Sequence, residues 1–558
     1  MPRSNVISVL LVRSIVGLVL LCALVNVLSA ITPALPERIE FLRDVFSPEF
    51  RAASRIAAAF SGFALLLLAR GLVRRQRVAW ILTIVVLLLS MAAHMIKGLD
   101  IEEAALSSVV VAVMLYARGE FFAKSDRPSI QSGLSALGLA LLFTLVYGTL
   151  GFFFLDRHFG QHFNLVDAFI QTLNLFLLGP QPVAHTRFAK WFLDSIYIIG
   201  WTSLGTGLIA FLQPVIMRGG VSQTDRLRAE RIVRQHGRSS LARFALLGDK
   251  QFYFHSSGDS LVSYVAVSGI GLALGDPIGP PERIGETVQG FVSFCAGNGW
   301  KPVFYQTAYV EPYESAGLMC LSIGECALVD VAEFTLEGPH HKEIRNAFSR
   351  LTRDGYRFRY YPAPQPPERI ARLRRVSDEW LAHKAGNEKS FSLGAFEEGY
   401  IRESPVVTLE DSHRNIVAFA NLVPTVATNE IAVDLMRQRE IAPTGAMLAV
   451  LAEAIRISKE NGYRTFNLGL APLAGVGNEP SATALEKALH LVFERVTEPY
   501  NFRGLYVFKK KFHPRFETRY LACPSVLDVI PALQAVTAAD GSVSLWREAI
   551  AELTRKVR

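Results

Sequence analysis

The residues best suited to chemistry lie in the last third of a 558-residue chain. In "VDLMRQR", Asp434 and Arg437 stand three apart where a strand-like run ends. A carboxylate there can hold an ammonium group, and an arginine can brace a phosphate through its planar fork; a structural ion pair at a strand end fits equally. In "LYVFKKKFHP", 505–514, three lysines interrupt a run that reads as a buried β-strand. Strand alternation puts Lys509 and Lys511 on one face about 7 Å apart, a spacing suited to two phosphates or to a phosphate and a carbonyl oxygen. Lys510 then shares the aromatic face and snorkels outward.

Further polar groups accompany these. "APTGAM" opens a helix at Gly445, where backbone amides favour an anion. "FNLGLAPLAG" leaves a strand through Asn467 and Gly469, small enough to let a substrate approach, although a strand-end asparagine also satisfies neighbouring backbone. "HKAGNEKSFSLGAF" offers Glu388, Lys389 and Ser392 around a glycine, in a loop. "HHKEIRNAFSRLTRDGYRFRY" places Arg345 and Arg350 in a basic row that fits either a solvated face or a nucleic-acid or headgroup contact. No metal site is expected: the paired histidines are adjacent rather than four apart, and the five cysteines have no CxxC spacing.

The elements that must position these residues follow from periodicity. Strands are expected at "SYVAVSGIGLALGDP", "KPVFYQTAYV", "ECALVDVAEF", "PVVTLED", "NIVAFANLVP", "EIAVDLM" and "RTFNLGL". Helices are expected over 282–297, 368–385, 445–461 and 481–496, and in the Arg-rich stretch at 340–360. Three strands, then helix, strand, helix, strand, is an α+β order with helices covering a mostly antiparallel sheet. The cluster "YPAPQPPER" at 361–369 divides this half into two units.

Half of the residues are apolar and 19% are charged, with a mean hydropathy of +0.27. Apolar runs of spanning length occupy 6–31, 53–73, 78–96, 101–117, 130–155 and 191–212, close to the ~20 residues that cross a bilayer. The first is not a cleaved signal, since comparable segments follow it. Arginines crowd alternate loops and the stretch after the last run, so six spans are expected with both ends cytoplasmic. The stretch 163–182 is read as a helix on or in the outer face. Residues 1–214 carry 17 basic and 12 acidic side chains, leaving 41 and 38 for the rest. The soluble half is thus only slightly basic, and any nucleic-acid contact must rest on local clusters.

Several motifs in order resemble the aminoacyl-phosphatidylglycerol synthases, the multiple peptide resistance factor family: "GDPIG", "FYQT", "HKEIRNAFSRLTRDGYRF", "EKSFSLGAF", "IVAFANLVP", "VDLMRQREIAPTGAM", "YRTFNLGLAPLAG" and "YNFRGLYVFKKKFHPRFETRYLA". The resemblance covers nearly all of 240–524. It implies an α-helical membrane bundle plus α+β tandem GNAT (acetyltransferase-like) domains: a bundle over 1–217, a basic linker at 218–239, a first domain at 240–364, a catalytic domain at 365–530 and a helical tail at 531–558. It implies transfer of lysine or alanine from aminoacyl-tRNA to the glycerol hydroxyl of phosphatidylglycerol in a bacterial inner membrane, with no cofactor and with resistance to cationic peptides as the consequence. A homo-oligomer is compatible with it.

On this reading Asp434, Arg437, Lys509 and Lys511 are catalytic, and Glu388, Lys389, Ser392, Asn467, Gly469, Gly445, Arg345 and Arg350 bind substrate. Many members carry a longer N-terminal bundle that flips the product, whereas six spans precede the synthase here. Leu448 stands where several relatives have an acidic residue, which leaves the transferred amino acid open. The alternatives are a membrane-anchored CoA-dependent N-acyltransferase, a Fem-type tRNA-dependent transferase, and a non-catalytic lipid-binding or flippase-like module.

Overall fold

The computed structural model describes residues 2–31, 48–98, 100–123, 127–176, 186–187, 189–196, 221–338, 341–383, 388, 390–425, 427–478, 486–487, 489–490 and 502–540. The chain separates into two compact units that meet in sequence at Met217, apart from a short segment, Ala296–Trp300, grouped with the first.

In the first unit, α1 (Pro2–Ile31), α2 (Pro48–Val73), α3 (Arg77–Gly98) and α4 (Ile101–Tyr116) pack together, as do α5 (Arg127–Phe154) and α6 (Leu165–Phe176). Leu10–Ser29 and Arg77–Ile96 are long and apolar enough to cross a membrane, and Phe60–Val73, Leu142–Phe154 and Leu165–Leu175 are shorter apolar stretches. The shared core of α1 to α4 joins Ile15 and Val19 to Leu65, Leu72, Trp80 and Met114. Two polar contacts lie inside it: His94 and Asn26 share a 2.7 Å hydrogen bond, and Trp80 Nε1 donates to the Met114 carbonyl at 2.9 Å. Most of the run expected at 191–212 lies outside the described residues.

The second unit is built on one eleven-stranded sheet in the order β1-β2-β3-β4-β11-β5-β10-β9-β8-β7-β6. In chain order these are β1 (Gln251–Phe254), β2 (Leu261–Val267), β3 (Ile270–Leu274), β4 (Lys301–Thr307), β5 (Met319–Asp330), β6 (Arg357–Tyr361), β7 (Val406–Glu410), β8 (Ile416–Pro424), β9 (Glu430–Gln438), β10 (Thr465–Pro472) and β11 (Arg515–Cys523). Among the described strands only β3–β4 and β9–β10 pair parallel. Each of those pairs is bridged by a helix, α8 (Ile284–Gly297) in the first half and α11 (Ala446–Glu460) in the second. The helices α7 (Gln223–His236), α9 (Lys342–Arg353), α10 (Pro367–Ala382), α12 (Phe502–Lys510) and α13 (Val529–Asp540) complete the unit.

The two halves exchange their central strands. β11, the last in sequence, inserts between β4 and β5, and β5 pairs with β10 of the other half. The proline cluster follows β6, which is the edge strand of the second half's meander rather than part of the first. Within β5 the sheet phase reverses at Gly324, where the register with β11 shifts. Gly324 has φ +141°, and a Cβ there would lie 2.5 Å from the Ala471 carbonyl oxygen, so only glycine fits. Because of this shift Leu321 and Ile323 join the core under α10 and α13, while Ala327 and Val329 join the core under α9 and α11.

The sequence "LYVFKKKFHP" is helical through Lys510, which corrects the strand expected there. Phe502, Tyr506 and Lys509 recur at steps of four and three and turn inward, with Phe502 and Lys509 buried, so the relevant period is that of a helix. Two alternating aromatic and lysine sets in a ten-residue window gave the same pattern as a half-buried strand. His513, at φ +48°, and Pro514 end the turn, and the strand begins one residue later at Arg515. The expected helix at 481–496 lies largely outside the described residues; the other expected strands and helices of this unit are present within a few residues.

Leu521 is fully buried in β11 between β4 and β5. Leu521→Ala is expected to cost about 2–5 kcal/mol, read by urea unfolding, and to raise hydrogen exchange in β4 and β10 together. A loss confined to one half would show that the exchanged strands do not couple them.

Candidate active site

β9 and β10 run parallel, but their pairing covers only Glu430–Ala432 with Thr465–Asn467. Beyond that point each strand stays with its outer neighbour, β9 with β8 and β10 with β5. The sheet therefore opens at the carboxyl ends of a parallel pair, where open sheets take ligands. Asp434 lies on one side of the opening, and Gly469 and Leu470 lie on the other.

A bulge sets what faces the opening. The β8–β9 register shifts between Ala420 and Leu422, so Asp434 and Leu435 together oppose Asn421, whose Oδ1 accepts the Leu435 N–H at 2.7 Å. In an unbroken strand, residues three apart face opposite ways. Here Asp434 and Arg437 face the same way, toward α10 and the loop that follows it, while Met436 packs in the core under α11. Bulges serve this purpose beside active sites.

The loop 388–396 grips both residues. Gly394 N–H donates to Asp434 Oδ1 at 3.0 Å and Tyr400 Oη–H to Asp434 Oδ2 at 2.6 Å. A Cβ on residue 394 would fall 2.0 Å from Asp434 Oδ2. Arg437, only 3% exposed, donates through both terminal nitrogens to the Glu388 carboxylate, with Nη1 to Oε2 at 3.2 Å, and also to the Ser377 hydroxyl. Its guanidinium lies 5.2 Å from the centre of the Trp380 ring. Glu388 Oε1 also accepts the Phe396 N–H at 3.0 Å.

Asp434 keeps part of its residue surface while protein surrounds its carboxylate. Burial pushes this carboxyl above the usual carboxylate range, opposed by the donors from Tyr400 and Gly394 and by Arg437. Burial and the neighbouring Asp434 hold the Tyr400 phenol well above its usual range.

Across the opening, Lys509 is 4% exposed and its Nζ donates to the Leu470 carbonyl at 2.8 Å. Desolvation lowers its pKa to about 8, with the nearby Cys326 opposing. Asn467 bonds within the fold: its Nδ2 donates to Glu430 at 3.0 Å, and its Oδ1 accepts from Gly469 N–H at 2.7 Å and from the Cys326 thiol at 3.1 Å.

A profile described as the C-terminal region of phosphatidylglycerol lysyltransferase matches residues 230–523, more than half of the chain. The chain belongs to this family. A second profile, the transmembrane region of lysyl-tRNA synthetase, matches residues 9–155, which places the helical unit in a membrane. Among curated relatives, a phosphatidylglycerol lysyltransferase of Bacillus subtilis is 28% identical over 83% of this chain and 52% of its own. One from Staphylococcus xylosus is 32% identical over 56% and 38%. The chain thus spans about half the length, or less, of the curated relatives it matches. Two solved structures cover 58% of it at TM-score 0.51: the C-terminal domain of a putative lysylphosphatidylglycerol synthetase from Agrobacterium fabrum, 36% identical over 99% of that chain, and L-PGS from Bacillus licheniformis, 31% identical over 98%.

Within this family fold, Asp434, Arg437 and Glu388 come together, and Lys509 of α12 meets Gly469 of β10 across the opening, with Nζ 3.8 Å from a Cβ built at residue 469. Lys511 departs from the expected pair. At the end of a helix it no longer shares a face with Lys509, and its Nζ pairs with Glu343. Ser392 is buried on Asp540, to which Oγ donates at 2.9 Å. Arg345 donates to the Leu336 carbonyl at 2.7 Å and Arg350 to the Thr444 carbonyl, which brings α9 against the turn at Gly445. Lys389 lies outside the described residues. Tyr400, Gly394, Ser377 and Asn421 were not singled out from sequence. Asn421 alone carried a local signal, a polar residue inside the apolar run "IVAFANLVP".

Gly394→Ala is expected to lower stability by about 1–3 kcal/mol, measured by thermal unfolding, because Asp434 must yield. Lys509 gives a pH signature. Its folded pKa lies below that of the unfolded chain, so the unfolded state binds the extra proton between about pH 8 and 10.5 and stability rises with pH across that window. Lys509→Met is expected to remove about 3 kcal/mol of that rise, read as unfolding free energy against pH; parallel curves for both proteins would exclude a buried, depressed amine.

Proposed function

We propose that this chain transfers an amino acid, lysine or alanine, from aminoacyl-tRNA to the glycerol hydroxyl of phosphatidylglycerol, which lowers the negative charge of the membrane. The observation that carries the reading is the Asp434–Arg437–Glu388 array at the open end of β9–β10, inside the region that matches the family. The reaction is a transesterification. The lipid hydroxyl oxygen bonds to the ester carbonyl carbon, the bond to the terminal ribose oxygen breaks, and the proton passes from the attacking hydroxyl to the leaving one.

Each residue has work in such a step. Asp434 binds the aminoacyl ammonium group, whose positive charge offsets the cost of keeping that carboxylate ionised in a buried site. Arg437, held flat by Glu388 and Ser377, fixes the field around it. Lys509, brought toward neutrality by burial, takes the hydroxyl proton and returns it to the ribose oxygen. The soluble half has little net charge, so tRNA contact rests on the exposed row Lys342, Arg350, Arg353, Arg357 and Arg359 on and after α9. The reading takes the helical unit as six spans with both ends in the cytoplasm, on the side where charged tRNA is found.

The test is expression in a host that lacks aminoacylated lipids, followed by mass analysis of extracted lipid. A new species heavier than phosphatidylglycerol by a lysyl or alanyl residue is expected, and it identifies the amino acid. No such species from inserted, folded protein would overturn the reading. Asp434→Ala is expected to reduce product by at least about 100-fold at unchanged membrane levels.

A further inference from the structure

The loop that carries Glu388 and Gly394 is anchored by residues far from the opening. Phe391 N–H donates to Asp249 Oδ2 at 3.1 Å, across 142 positions of sequence. Ser392 N–H and Oγ–H both donate to Asp540 Oδ1, at 3.2 and 2.9 Å. Ser390 N–H donates to the Asp540 carbonyl at 3.2 Å and its Oγ–H to the Ala539 carbonyl at 3.1 Å. Three consecutive residues are therefore held from the segment before β1 and from the end of α13.

Behind Asp249 stands Lys250, 2% exposed, whose Nζ donates to both Asp249 oxygens at 2.7 and 2.8 Å. The same ammonium lies 5.0 Å from the centre of the fully buried Phe391 ring, which also stacks on Tyr305 at 6.4 Å. Phe391 has φ +61°. A bulky residue is strained there and stays only where its surroundings over-determine it. The Asp249 acceptor and the two rings supply that constraint. Three residues later the same backbone delivers Gly394 N–H to Asp434, and three residues earlier it delivers Glu388 to Arg437.

We propose that Asp249, Lys250 and Asp540 are positioning residues for the transfer site, a clamp that fixes the loop 388–396 so that Glu388 and Gly394 meet Arg437 and Asp434. The assignment rests on the reading of that array as the transfer site. Asp249 and Asp540 hold the backbone, and Lys250 secures Asp249 by ion pair and Phe391 by cation–π contact.

The experiment uses the full chain in lipid nanodiscs, with Asp249→Ala, Lys250→Met and Asp540→Ala, and has two readouts. Hydrogen exchange in a peptide spanning 388–396 is expected to rise in each variant while peptides from β4, β8 and β10 keep wild-type protection. With phosphatidylglycerol and whichever of lysyl- or alanyl-tRNA the lipid analysis identifies as donor, kcat is expected to fall roughly 10- to 100-fold with KM for the tRNA within about 2-fold. Asp249→Asn, which keeps an oxygen for Phe391 N–H, is expected to recover most of both.

Unchanged loop exchange in folded Asp249→Ala and Asp540→Ala overturns the clamp, as does loss of protection throughout the sheet in both, which would make these residues supports of the fold. A wild-type protein that forms no aminoacyl lipid overturns the transfer reading instead, and the exchange comparison still decides the clamp.

Discussion

The second unit depends on the exchange of β5 and β11. An edge strand leaves a row of backbone donors and acceptors unpaired, and each half, cut from the other, would present such an edge at its centre. With β11 between β4 and β5, and β5 against β10, every inner strand is hydrogen-bonded on both sides. The bulge at Gly324 then lets a single strand supply apolar side chains to two cores on opposite faces. The last strand in sequence is thereby built into the half that comes first, and β10, on one side of the opening, is backed by β5.

On that frame the site is made by departures from regular structure. The β9–β10 pairing stops after three residues, the β8–β9 ladder carries an extra residue, and the loop after α10 holds Phe391 at positive φ. Two of these departures have a polar partner: the buried Asn421 amide oxygen accepts the Leu435 N–H at the bulge, and the partly exposed Asp249 carboxylate accepts the Phe391 N–H. The apolar cores fix where the strands lie, and the polar contacts fix which side chains face the gap.

The charges follow from burial. Asp434 and Lys509 are both pressed toward their neutral forms by desolvation. Arg437 is matched by Glu388 and shielded by Trp380, so it is fixed rather than free to swing.

The sequence by itself determined the two-part organisation, the apolar segments, most strands and helices of the second unit, and the motifs that carry the family likeness. These are set by local composition and by periods of two and 3.6, which survive in one dimension. It also marked Asp434, Arg437 and Lys509, because charged residues inside apolar runs are visible as such, and Glu388 in a polar stretch beside a glycine. Tertiary structure alone decided that β11 crosses into the first half, since no local pattern records which strand is a neighbour. It decided that "LYVFKKKFHP" is a helix, because ten residues with alternating aromatic and lysine sets satisfy both periods until the packed face is known. It separated Lys511 from Lys509 and joined Asp434 to Arg437, since a bulge of one residue reverses every side chain beyond it, and whether that bulge forms depends on Asn421 from another strand.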